Sequence, residues 1–432
     1  MKLLLVHRFI RPDAPGYAHM LYIMGQHFAK AGHEVTIFSC QPGYNNAYDG
    51  PPVPVKEEVD GMTVIRIPLL KESKKKPIPR TLNFIWFSIR VFMHAVFRRQ
   101  AYDVMTVSTF PPTLMAAVAR FIGLFRKTGY IYHCMDLYPE VAQVSGMLNR
   151  SLALRVAASV DKRNCKKAKA VVVLSDDMLK TLQGRGLETD NVHVINNFII
   201  NSVDQNAEVP EAFEQPSEKF RVLFAGNIGR FQSLETIVDA AKILEPNREI
   251  EFWFVGAGVS VDSLKERSGS LIGESIFFHP YLPIDVVMKV INRSHLGIVS
   301  LAPEVILSAY PSKTMSYLEA GCKLLCLVES DSSLASLVEN NGLGSVCNQP
   351  ATPESVAEAI TKEYQLWKES GYDRDAIQRL GRDQFSQKVI LDCWLQLLRG
   401  EKPMAPGSDL TKIGSPKSKL PSSKSPLAHS TE

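Results

Sequence analysis

The sequence predicts an α/β protein of two domains, and three observations carry that prediction. The chain has 432 residues, too many for one ordinary core and suited to two domains of usual size. Short apolar strand candidates alternate with helix-length stretches along most of it, the pattern of parallel sheets covered on both faces. A polar stretch with Pro210 and Pro216, residues 208–219, interrupts the alternation, and a fresh strand, turn and helix follow it.

In the first half, residues 2–9 read as a buried strand. A loop with Pro12, Pro15 and Gly16 follows, then a helical pattern from about Ala18 to Ala31, then the strand Glu34–Phe38. Gly16 sits in the loop at the carboxyl end of the first strand, the edge where open α/β sheets bind ligands; it reads equally as a turn glycine. Further strand candidates are 62–68, 104–108, 130–133, 170–174 and 192–195, with helical patterns at 112–127 and 151–168. His133 and Asp136 fall at the carboxyl end of a strand, where they could orient a hydroxyl or move a proton; a histidine there can also be satisfied structure.

Residues 71–100 stand apart. Lys71, Lys74, Lys75, Lys76 and Arg80 precede an aromatic-rich stretch that contains Trp86 and Phe87. On a helix, Asn83, Arg90, His94 and Arg98 line a narrow polar stripe. Basic flanks beside a wide apolar face suit a helix lying in the plane of an anionic membrane. The other reading is a core helix packed on the sheet.

In the second half, the strand 221–225 runs into Gly226-Asn227-Ile228-Gly229-Arg230. The glycines let backbone N–H groups approach an anion, and Arg230 can fork onto phosphate oxygens. The loop is neither a G-x-G-x-x-G fingerprint nor a Walker loop. Strands follow at 251–255, 276–278, 296–301 and 324–328, each ending in a loop, among them 279–283 with Tyr281. Residues 353–369 and 374–399 read as helices. Residues 311–321 read as a loop entering a short helix, with Ser312 as N-cap, Lys313 in the first turn and Gly321 as C′ residue. Phosphate suits such a helix start, and Glu319 at the far end could accept from sugar or ribose hydroxyls. An ordinary capped helix with a solvated lysine is the plain alternative.

Composition narrows the function. The net charge of +4 gives no argument for nucleic acid, and no such partner is expected. Seven scattered cysteines without zinc-knuckle spacing read as reduced core residues in a cytosolic compartment. The N-terminus turns polar too soon for a signal peptide, and no run reaches the ~18 apolar residues of a membrane span. Residues 401–432, rich in Ser, Pro and Lys, should be disordered. No carboxylate cluster suited to Mg²⁺ is evident. Two cationic loops could instead hold a diphosphate without a metal, with the acceptor bound by the first half across a cleft.

At these residues the sequence resembles the GT-B fold glycosyltransferases, and more closely the family 4 retaining enzymes of bacterial polysaccharide assembly, of the colanic-acid and O-antigen type. Residues 32–36, 136–140 and 225–230 carry the likeness, with Pro311-Ser312-Lys313, Glu319-Ala320-Gly321 and Asn197. It spans about residues 1–400. The resemblance implies two facing Rossmann-like domains: 1–205 for the acceptor and 206–379 for the nucleotide-sugar, with a helix near 380–399 crossing back. It implies Arg230, Lys313, His133 and Asp136 as catalytic residues. Gly16, Gly226, Asn227, Gly229, Tyr281, Ser312 and Glu319 would bind the donor, Glu319 as the second glutamate of the family's Glu-x7-Glu motif. Pro311 replaces the first, and Asn227 and Gln232 stand where many relatives have arginine and lysine. The expected activity is retaining transfer from a nucleotide-diphosphate sugar to a lipid-linked saccharide at the cytoplasmic membrane face, without metal or cofactor. Lys74, Lys75, Lys76, Trp86 and Phe87 would meet the membrane. A nucleotide-sugar 2-epimerase and a non-catalytic assembly partner are the alternatives. A dinucleotide dehydrogenase lacks its fingerprint.

Overall fold

The apolar run Leu3–Val6 is buried throughout and forms strand β1 (Lys2–Val6), which pairs in parallel with β2 (Glu34–Cys40). The other strands of the first sheet are β3 (Lys56–Val59), β4 (Met62–Ile67), β5 (Val104–Ser108), β6 (Gly129–His133), β7 (Ala170–Val173) and β8 (Val192–Val194). They lie in the order β3-β4-β2-β1-β5-β6-β7-β8, parallel except for β3, which is antiparallel to β4. Sequence periodicity misses β3, a charged four-residue edge strand. Helices α1 (Gly16–Lys30), α2 (Pro77–Phe97), α3 (Leu114–Arg126), α4 (Glu140–Val144), α5 (Ser151–Lys167) and α6 (Asp176–Gly184) connect the strands.

The second sheet is wholly parallel. Its strands are β9 (Phe220–Ala225), β10 (Ile250–Val255), β11 (Ile276–His279), β12 (Leu296–Ser300), β13 (Lys323–Val328) and β14 (Gly344–Asn348), in the order β11-β10-β9-β12-β13-β14. Its helices are α7 (Leu234–Ile243), α8 (Val261–Ser268), α9 (Ile284–Asn292), α10 (Lys313–Glu319), α11 (Ser333–Asn340) and α12 (Pro353–Ser370), followed by α13 (Arg374–Phe385) and α14 (Gln387–Arg399). This computed structural model describes residues 1–403 except 14–15, 44–49, 52, 71–76, 145–150, 201–205, 207 and 215–217. The expected disorder of 401–432 therefore falls almost entirely outside the described residues, as do Lys74, Lys75 and Lys76.

Each sheet has a core on both faces. Two expectations change. The stretch 208–219 is not all linker, because Phe213 is fully buried 4.5 Å from the Trp253 ring with the Arg221 guanidinium over it. The single helix expected over 374–399 is two. Ser386 turns to extended backbone and caps the next helix by accepting from Val389 N–H. That turn lets α13 pack on α10, while α14 puts Ile390, Trp394 and Leu397 into the first domain's core beside Leu3, Leu5 and Phe28.

Candidate active site

In the second sheet the strand order reverses between β9 and β12, the place where doubly wound sheets open a crevice. The loops leaving these two neighbouring strands bring Gly226 and Lys313 together. Tyr317 fixes α10 against β9: its buried hydroxyl accepts from Ala225 N–H (2.9 Å) and donates to the Leu223 carbonyl (3.2 Å). Gly226 has φ +135°, and a Cβ there would lie 2.8 Å from Lys313 Cε. Its conformation thus requires glycine, and a side chain there would displace the Lys313 stem. Beside it, a Cβ on Gly256 would lie 1.9 Å from the Gly226 carbonyl oxygen. The loop leaving β10 at 256–258 is therefore a close backbone approach. The Lys313 ammonium sits 4.8 Å from the Phe224 ring centroid, and burial draws its pKa down to about 8.

These groups line a cavity of about 510 Å³ between the domains. Gly16 and His19 close it from α1. Tyr281, Gly226, Ser312 and Lys313 line it from the second domain, and Ile284, Val287 and Ile291 give α9 an apolar wall. The sequence reading did not single out His19 or Ser316, which also faces the cavity. Burial and Arg11 lower the pKa of His19, while Asp285 opposes them.

Several expected residues stand elsewhere. Glu319 does not line the cavity. Lys313 and Ser316 lie one turn apart on one face of α10, whereas Glu319 projects from another face. There it pairs with Arg382 of α13 at 2.9 Å. Ser312 makes no side-chain cap, and α10 is only seven residues long, so the positive charge at this point is chiefly that of Lys313. Arg230 and Asn227 are exposed outside the cavity wall. Gly229 is buried and lies outside the wall too, with Gln232 accepting from its N–H at 2.9 Å.

The first domain has its own switch point, between β1 and β5. His133 lies there but is 2 % exposed, between Tyr17, whose hydroxyl is 3.1 Å from its Nδ1, and the Trp394 ring at 4.9 Å. Burial holds its pKa down at about 3, so the imidazole is neutral here, and its buried Nε2 has no hydrogen-bond partner among the described residues. Asp136 stands at the domain boundary, its backbone bridged to Ala309, and burial raises its carboxyl to about 6. Its loop is anchored by Glu140, which accepts from Arg185, which in turn donates to Asp161 (2.7 Å).

Helix α2 corrects another expectation. Phe87 is fully buried with Val91 and Ala95, whereas Ile78, Leu82, Ile85, Trp86, Ile89, Met93 and Phe97 form an exposed stripe. Most of the polar stripe faces the protein. Asn83 bonds both backbone groups of Leu70, His94 meets the Tyr102 hydroxyl at 2.8 Å, and Arg98 pairs with Glu34 at 3.0 Å. No helix among the described residues is long and apolar enough to cross a membrane.

Comparison with known proteins agrees with this architecture. The Glycosyl transferase 4-like domain matches residues 16–197, and Glycosyl transferases group 1 matches residues 205–375. The chain belongs to the GT-B glycosyltransferases, of the family 4 type found in bacterial polysaccharide assembly. It is 22% identical over 412 residues to WcaI of Escherichia coli K12, provisionally named a colanic acid biosynthesis glycosyl transferase; 91% of this chain and 99% of that protein align. Two solved structures share the fold. Sucrose-phosphate synthase of Thermosynechococcus elongatus has a TM-score of 0.69 at 14% identity, over 93% of this chain and 98% of that one. HepE of Anabaena in complex with UDP has a TM-score of 0.66 at 14% identity, over 93% and 100%.

Proposed function

We propose that this glycosyltransferase moves a sugar from a nucleoside-diphosphate donor, with retention, to a lipid-linked saccharide at the cytoplasmic face of a membrane. The observation that carries the reading is a partly buried lysine, Lys313, packed against a glycine in the wall of an interdomain cavity. A desolvated ammonium is a strong partner for the charge that grows on a departing diphosphate. The apolar wall of α9 and exposed Tyr281 suit a nucleobase. HepE was solved with UDP, and a uridine nucleotide is the donor class we assign.

In this mechanism the bond between the anomeric carbon and the diphosphate oxygen breaks, and Lys313 takes up the negative charge on the leaving group. The acceptor hydroxyl attacks from the same face and gives its proton to the departing phosphate. Asp136 accepts a hydrogen bond that orients that hydroxyl. The Lys313 cation does the neutralising, so no metal is required. The outward stripe of α2 holds the protein at the bilayer.

Thermal melting against UDP, GDP, ADP, TDP and CMP, first with EDTA and then with Mg²⁺, tests the reading. UDP should raise the melting temperature in EDTA, and Lys313→Ala should remove the rise. No response to any nucleotide would favour a non-catalytic assembly partner. A response only with a divalent ion would overturn the metal-free mechanism.

A further inference from the structure

We propose that two copies of the chain join along β14, the last strand of the second sheet, and form one continuous sheet about a two-fold axis.

A strand at a sheet edge leaves a row of N–H and C=O groups without partners, and folds normally blunt such edges. Each sheet here has two edges, and three of them are blunted. Strand β3 carries Lys56, Glu57 and Glu58. Strand β8 is only three residues long. The start of β11 is bridged by Ile272, with Gly273 N–H donating to the Ile276 carbonyl at 3.0 Å. Strand β14 reads Gly-Ser-Val-Cys-Asn, without charge or proline. Among the described residues it pairs with β13 alone.

The register fixes which groups are left over. Leu324 N–H donates to the Leu343 carbonyl, and Gln349 N–H donates to the Val328 carbonyl. Backbone direction alternates along a strand. Ser345 and Cys347 therefore turn their amides and carbonyls toward β13, whereas Gly344, Val346 and Asn348 turn theirs outward. Ser345 and Cys347 are buried, and the three outward residues are half-buried or exposed. The outward set is symmetric about Val346. An antiparallel copy sets Val346 against Val346 and Gly344 against Asn348, and each such pair exchanges two hydrogen bonds. Every outward backbone group of the strand is then paired.

Helix α12 makes the same surface complementary in charge. The edge opens on a groove of about 650 Å³ that α12 walls on one side. The Ser345 hydroxyl donates to Glu363 at 2.7 Å, and Cys347 Sγ lies 3.7 Å from the Ser355 carbonyl. Val346 is thus level with the middle of the stretch 355–363. Glu358 and Lys362 are exposed there and line the groove. Among the described residues neither pairs with another charge of its own chain. A two-fold axis through Val346 lays the two α12 helices antiparallel and sets Glu358 of each copy against Lys362 of the other. Such self-complementarity is what a two-fold contact requires. No residue lining the donor cavity belongs to β14 or α12, so the pairing leaves the cavity open.

Sedimentation equilibrium of the full chain, from about 1 µM to about 100 µM, tests the pairing. The mass should rise with concentration from that of one chain to that of two. Val346→Pro removes the central outward N–H and spares the ladder to β13, as proline on an edge does. It should remain a single chain with the parent's circular dichroism. Glu358→Lys and Lys362→Glu each set like charges across the axis twice, and each should weaken the dimer about tenfold or more. The double variant restores opposite charges and should regain the parent's affinity. A mixture of the two single variants should associate more tightly than either alone. A single-chain mass at every concentration would overturn the proposal and leave the edge to a strand of another protein. A dimer indifferent to Val346→Pro and to both charge reversals would place the contact elsewhere and overturn it too. Failure of the double variant to recover would overturn the antiparallel register.

Discussion

Lys313 is charged below pH 8 and loses its proton above it, since burial has drawn its pKa down to about 8. A bound diphosphate favours the charged form and must raise that pKa. Above pH 8, therefore, UDP binding should take up a proton, and affinity should fall by up to about tenfold per pH unit. Calorimetry at pH 9 in two buffers of different ionisation enthalpy would measure the uptake, and Lys313→Ala should show none. Glu319 leads to an opposite expectation. Because Arg382 already occupies its carboxylate, Glu319→Gln should change the donor KM by less than about threefold, as for other partly exposed pairs; a loss of several tens of fold would restore it to the donor. The two residues explain what was readable at this scale. The positions of Gly226 and Lys313 were legible, because one follows an apolar strand and the other a Pro-Ser helix start, whereas that Lys313 packs on Gly226 rather than standing in solvent was not. The direction of Glu319 was not, because it depends on how α10 is rotated about its axis. Tyr317 sets that rotation through bonds to β9, about 90 residues away in the chain.

At the scale of the element, α2 showed its amphipathic character plainly and hid its orientation. A narrow polar stripe looks solvent-facing until its members find partners. Asn83, His94 and Arg98 find theirs in Leu70, Tyr102 and Glu34, which leaves the broad apolar face outside. The break at Ser386 was hidden for a similar reason: the apolar period continues across it, and only packing against two different domains divides α13 from α14. The orientation of α2 separates two neighbours. Trp86→Ser with Ile89→Ser removes exposed apolar surface only. It should leave the fold intact and weaken sedimentation with anionic vesicles by about thirtyfold, since each of the two side chains contributes ~1 kcal/mol when half covered. Phe87→Ser should instead destabilise the first domain by about 3–5 kcal/mol, as other emptied aromatic core sites do. Equal vesicle binding by the double variant and the parent would remove α2 from the membrane reading.

For the whole molecule, the division into two α/β halves was legible because each half opens on its own apolar strand and restarts the alternation. The way the halves meet was not, because the residues that join them lie far apart in sequence and carry no local pattern. Leu137 N–H donates to the Ser308 carbonyl at 2.7 Å, and the Thr181 hydroxyl donates to the Leu307 carbonyl at 2.7 Å. Asp177 at the start of α6 accepts from the Ser333 amide (3.0 Å) and from its hydroxyl, 156 residues away. Asp177 is 3 % exposed, so its removal would leave the Ser333 amide at the start of α11 without its partner. A buried donor left this way costs about 1–3 kcal/mol. These bonds hold the domain separation, and that separation sets the width of the cavity between Gly16 and Lys313. Asp177→Ala should therefore lower the melting temperature by several degrees, about 2–4 °C per kcal/mol for domains of this size. It should also enlarge the radius of gyration measured by X-ray scattering without ligand, and raise the donor KM more than it lowers kcat. Saturating UDP should draw the scattering radius back toward that of the parent, because ligand held by both walls favours the closed arrangement. An unchanged radius in the ligand-free variant would mean that the turn at Ser386 and the Ile199–Phe385 backbone bond, at 2.8 Å, fix the domains without Asp177.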